Sequence, residues 1–113
     1  MKFRTTFVSN SSSESFICDT KMKLEDVKKA LIVLLDFYNM FFTEELSFNE
    51  VFQDPIICDK EKEDFYKDFF GENTYIPECI GKVVIESYQD NSVPSELFDL
   101  IESKFEAFRL HLG

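Results

Sequence analysis

The stretch from Leu24 to Phe42 commits this chain to one long helix. Leu24, Val27, Leu31, Leu34/Leu35, Tyr38 and Phe41/Phe42 recur at three- and four-residue spacing, which lines them along one side of an α-helix. After Ala30 nearly every position is apolar, so the pattern predicts a central helix contacted on several sides. The apolar run covers only residues 30–42 and contains Asp36 and Asn39. That is too short and too polar for a bilayer crossing, which needs roughly 20 apolar residues.

Shorter elements are expected around this helix. Lys2 to Val8 alternates, with Phe3, Thr5 and Phe7 opposite Lys2, Arg4 and Thr6, and reads as a strand. Ser15 to Asp19 reads as a second, with the polar run from Ser9 to Glu14 as the loop of a β-hairpin. Ser47-Phe48-Asn49-Glu50 is a capping box and predicts a short helix stopping near Asp54-Pro55. Asp59 to Phe70 reads as a charged amphipathic helix with Phe65, Phe69 and Tyr66 inward and Gly71 as its stop. After a loop over 72–81, Lys82 to Tyr88 has the highest β-propensity in the chain. A last helix is expected from Pro94 to Leu110, with Leu97, Ile101, Phe105, Phe108 and Leu112 as its apolar stripe. The expected fold is α+β. A small, mostly antiparallel sheet of three strands, the N-terminal hairpin plus 82–88, packs on about four helices in one domain spanning 1–113.

Composition narrows function more by exclusion than by indication. With 113 residues, 14 Phe and only three Gly and three Pro, the chain can build one core and little linker. Cys18, Cys58 and Cys79 are odd in number and lack a C-x-x-C, which argues against a disulfide framework. Joined only by His111, they make a poor zinc set. The N-terminus lacks the apolar run of a secretion signal, so the expectation is a reducing, cytoplasmic compartment with no metal and no cofactor. Net charge is −10. Residues 1–30 hold six basic against four acidic side chains, and residues 31–113 hold six against eighteen. This balance disfavours direct nucleic-acid binding, which needs basic groups to displace counterions, and disfavours anionic membranes. A basic protein surface is the matching partner.

Lys2-Phe3-Arg4, followed by Phe7-Val8-Ser9-Asn10-Ser11-Ser12-Ser13-Glu14-Ser15-Phe16, resembles a signature, K-x-R-x-x-F-V-S-N-S-S-S-S-S-F. This signature opens many small uncharacterised proteins of tailed bacteriophages and some bacteria. The resemblance covers about the first 17 residues and departs from the signature at Glu14. It implies a phage origin and a role in host interaction, and it transfers no catalytic residue.

No catalytic constellation emerges from the residues. Glu61, Glu63, Asp64 and Asp68 fall within two helical turns, but Lys60, Lys62 and Lys67 interleave with them, as on a solvated helix. Asp99, Glu102 and Glu106 form a like-charged stripe on the last helix, with Arg109 nearby. No Walker-type loop, G-x-S-x-G or G-x-G-x-x-G occurs. The residues therefore point to binding. The two acidic sets would meet a basic host protein, such as a defence or nucleic-acid enzyme, in the sharper form by imitating the regular charge of nucleic acid. Tyr38, Phe41, Phe42, Tyr66 and Phe70 would form an exposed aromatic patch, and Ser9, Ser11, Ser12, Ser13 and Ser15 a recognition or modification loop. The alternative is a structural or assembly protein that self-associates through the aromatics, most simply as a homodimer.

Overall fold

A computed structural model describes residues 12–89 and 95–112. The elements run β1 (Ser12–Cys18), α1 (Leu24–Phe42), α2 (Phe48–Val51), β2 (Ile56–Ile57), α3 (Lys60–Phe70), β3 (Val83–Gln89), α4 (Ser95–Phe105) and β4 (Ala107–Leu112). The class is α+β, as the sequence implies, with four strands among the described residues: β1 and β3 match expected strands, and β2 and β4 were not foreseen. All pairings are antiparallel, in the order β2-β3-β1-β4.

Element boundaries follow local chemistry. Glu25 and Asp26 place negative charge in the first turn of α1, where the helix dipole favours it. Thr43 ends the helix in the left-handed region at φ 57°. Asn39, a polar residue in an apolar run, fixes the exit. Its Nδ2 donates to the Leu46 carbonyl at 2.7 Å, and its Oδ1 accepts the Leu46 amide at 3.1 Å. The expected capping device is present at α2, where the Ser47 amide donates to Glu50 Oε1 at 3.1 Å. Asp59 caps α3 by accepting the Lys62 amide at 2.8 Å, and Gly71, at φ 78°, ends it.

β1 is a central strand, and this overturns the expected N-terminal hairpin. β3 pairs along one edge and β4 along the other over 13–17, which leaves no edge for a hairpin partner. Residues 2–8 themselves lie outside the described residues. Ser12, Ser13, Glu14 and Ser15, expected in a loop, belong to this strand. Glu14, Phe16 and Cys18 point to one face, and Ser13, Ser15 and Ile17 to the other, as strand geometry requires. The first face packs Phe16, Cys18, Val83 and Ile85 on α1 and α4 through Leu31, Leu35, Phe98 and Ile101. Phe16 and Phe98 meet with ring centroids 5.7 Å apart. The second face packs Ile17, Val84 and Leu110 against Tyr66 of α3 and the side chains of Cys58 and Cys79.

Three further expectations are corrected. The last helix stops at Phe105, and Glu106, at φ 52°, turns the chain into β4. A left-handed residue cannot continue a right-handed helix, so Phe108 belongs to an edge strand. In α3 it is Tyr66 and Glu63 that face the sheet, while Phe65 and Phe69 are exposed. Finally, the described residues cover α1 on one side alone: Val27, Leu31, Leu35 and Tyr38 are buried, while Val33, Phe37, Met40 and Phe41 on its outer side are exposed. No helix of the described residues is long and apolar enough to cross a membrane.

Candidate functional site: an acid-rimmed aromatic groove

The uncovered side of α1 is the largest departure from an ordinary surface. Met40 is 77% exposed, Phe41 73%, Val33 66% and Phe37 60%, although such side chains normally supply the core. They are organised as well as exposed. Phe37 and Phe41 stack one turn apart with centroids 6.1 Å apart and rings 9° from parallel. Phe41 meets Phe42 edge-on at 5.3 Å, and Phe42 stacks on Tyr38 at 4.5 Å. Rings braced in this way lose little further freedom on binding, which lowers the cost of forming an interface.

Between α1 and α4 these rings line a groove of about 370 Å³. Phe37, Tyr38, Phe41 and Phe42 form the α1 wall, and Leu100, Glu96 and Asp99 form the α4 wall. Apolar walls with a few charged groups at the edge are the usual make-up of a recognition cleft. The charges here share one sign. Burial holds the Tyr38 hydroxyl above its ordinary pKa, and the nearby Glu96 and Glu44 carboxylates push in the same direction. Among the described residues no basic side chain lines the groove.

A second polar cluster lies on the same sheet face. Glu14 is 1% exposed at the centre of the sheet. One carboxylate oxygen accepts from Arg109 Nε, and the other faces His111 Nδ1; β4 carries both partners. Arg109 also stacks over Phe98, 4.9 Å from the ring centre, and reaches Asp99 and Glu102 at 3.8 Å each. One cation thus bridges a buried carboxylate, a core ring and two acids of α4. The geometry suits a structural clamp, because a buried charge must be paired. The clamp anchors α4 and so helps place the groove's acidic wall.

The acidic and aromatic residues singled out from sequence divide accordingly. Asp99 sits at the groove, Glu102 turns to Arg109, and Glu106 has left the helix. Glu61, Asp64 and Asp68 are exposed on α3, which covers the opposite sheet face, and Asp64 pairs with Lys60 at 3.5 Å. The two acidic sets therefore do not form one surface. Glu63 is not on the surface at all. It accepts the Cys79 amide at 3.3 Å and pairs with Lys67 at 3.3 Å. The hydrogen bond from the Cys79 amide, more than the lysine, holds its carboxyl below the usual range against the opposing effect of desolvation.

Of the expected aromatic patch, Phe41 and Phe42 are exposed, and Tyr38 is buried but lines the groove. Tyr66 is fully buried and Phe70 half-buried under α3, because the α3 face that meets the sheet runs through positions 63, 66 and 70. Phe37, Met40 and Leu100 escaped the sequence reading. The signal for Phe37 and Met40 was the apolar surplus on both sides of the Leu24–Phe42 helix; Leu100, on α4, had none. The expected serine loop is also revised. Ser15 is fully buried, with its Oγ 3.5 Å from Glu86 Oε2, and Ser12 and Ser13 lie in β1. Ser9 and Ser11 lie outside the described residues.

Elsewhere, Lys62 and Glu86 form a largely buried pair at 2.7 Å beneath α3. Tyr66 Oη, close by, has no hydrogen-bond partner among the described residues. No group of three or more His, Cys, Asp or Glu placed to hold a metal ion occurs among the described residues. Comparison with protein-family models, with curated proteins and with solved structures finds no match to this chain.

Proposed function

We propose that this chain is a binding protein that seats an apolar, basic-flanked element of a host protein in the groove between α1 and α4 and so occludes a basic functional surface. The observation that carries the reading is the braced ladder of exposed rings, Phe37, Phe41 and Phe42, against the acidic wall of Glu96 and Asp99. Aromatic anchors supply most interface energy, and like-signed rim charge selects an opposite partner and speeds its arrival. The N-terminal resemblance to small phage proteins supports a setting in an infected bacterial cell, with a defence or nucleic-acid enzyme as the class of target. No catalytic role is part of this reading.

The assembly alternative would place a second copy on the same groove. A two-fold interface apposes each patch to itself, so two acidic walls, on chains of net charge −10, would face one another. Electrostatics therefore favours a basic partner over self-association. The test is capture from bacterial lysate with the tagged chain, washed at rising salt, beside the variant E96K/D99K. One stoichiometric basic protein, released as salt rises and lost from the variant, is expected. Recovery of the bait alone, with concentration-dependent oligomers in light scattering, would transfer the groove to the assembly role.

A further inference from the structure

Cys58 and Cys79 are 21 residues apart in sequence, and their sulfurs lie 2.8 Å apart beneath α3. Both side chains are buried. Bonds that do not involve sulfur hold the two residues together. The Cys58 amide donates to the Lys82 carbonyl at 2.8 Å, and the Gly81 amide donates back to the Cys58 carbonyl at 2.8 Å. The Lys82 amide donates to the Cys79 carbonyl at 2.9 Å, closing a turn that places Gly81 at φ 87°. This frame presents the two side chains to each other, and facing side chains are what a disulfide requires.

We propose that Cys58 and Cys79 are a disulfide-forming pair, a modification site that joins the end of β2 to the loop before β3 when a low-molecular-weight disulfide acts as oxidant. One cysteine thiolate attacks the sulfur–sulfur bond of oxidised glutathione, forming a mixed disulfide and releasing one glutathione. The second thiolate attacks the protein-side sulfur, closing the Cys58–Cys79 bond and releasing the other glutathione. Two protein thiols lose two protons and two electrons, and one oxidised glutathione becomes two reduced molecules. In the closed protein both thiols are held protonated. Burial is the leading cause at each, raising Cys79 and pushing Cys58 up to about 12, with the Glu63 carboxylate adding to both. Reaction therefore passes through local opening of the 72–82 loop. The pair lies on the sheet face opposite the groove, so the site is independent of partner binding. Cys18 is also buried, on the first face of the sheet, and serves as an internal control.

The test equilibrates the full chain in mixtures of reduced and oxidised glutathione, in native buffer and in concentrated guanidinium chloride. Each condition is approached from both the reduced and the oxidised chain, so that burial cannot block equilibrium. Mass spectrometry of alkylated peptides then reads the Cys58–Cys79 bond against the dithiol. A pair pre-positioned by the fold gives a ratio on the order of 100-fold higher in the folded chain than in the unfolded one, with Cys18 left free. An equal or lower ratio in the folded chain, glutathione adducts in place of the bond, or bonds through Cys18 would overturn the assignment.

Discussion

Replacing Phe37 and Phe41 together by serine is expected to weaken binding to the captured partner by a factor on the order of 1,000, about 2 kcal/mol for each anchor. The fold should survive. Both rings are mostly exposed, and changes at such positions usually move stability by about 0.5 kcal/mol or less. The nearest buried members of the same helix, Leu35 and Tyr38, are untouched. Surface-binding kinetics and thermal unfolding of the same preparations check the pair of expectations. The loss should appear mainly in the dissociation rate, because desolvated anchors act after encounter. Reversal of Glu96 and Asp99 should instead slow association and flatten its salt dependence. Equal affinity for the serine variant and the native chain would remove the groove from the account.

The largest stability effect is expected from Arg109→Met. Among the described residues, Glu14 would then lie buried with only His111 facing its carboxylate, and stranding one member of a buried ion pair costs about 3–5 kcal/mol. That is a large share of the roughly 5–15 kcal/mol that a small domain possesses. The reverse single variant, Glu14→Leu, should cost less. Arg109 is 26% exposed at its side chain and keeps Asp99 and Glu102 within 3.8 Å. The double variant should lose clearly less than the sum of the two, since removing both charges leaves neither stranded. Urea unfolding of the four proteins measures this cycle. Strict additivity would mean that the clamp is incidental to stability.

How much of this was legible in the sequence depended on how local the cause was. The period of α1, the capping box at Ser47–Glu50, the Asp59–Phe70 helix and its Gly71 stop all arise within a few residues, and each could be read directly. The end of α4 could not. Phe105, Phe108 and Leu112 fit a helical spacing, while Phe108, Leu110 and Leu112 fit a strand's alternation. Pairing with β1, far away in sequence, decides for the strand. Glu14 was harder still. Within a serine run it looks like solvated loop, and its two partners lie 95 and 97 residues downstream.

The groove shows the same limit from the other side. The apolar surplus of α1 was plain, and complete coverage was the natural expectation. Whether enough other elements exist to cover both sides of a helix is a property of the whole chain. Here the sheet and α4 cover one side, α3 occupies the far face of the sheet, and Phe37, Met40 and Phe41 remain bare.

Hydroxyl-radical footprinting of the chain, alone and saturated with the captured partner, decides which face the partner covers. The groove account predicts strong loss of labelling at Phe37, Met40 and Phe41 in the complex, with Ile56, Ile57 and Phe65 on the opposite side unchanged. Protection of Ile56, Ile57 and Phe65 while Phe37, Met40 and Phe41 stay fully labelled would contradict it and place the partner on the α3 face.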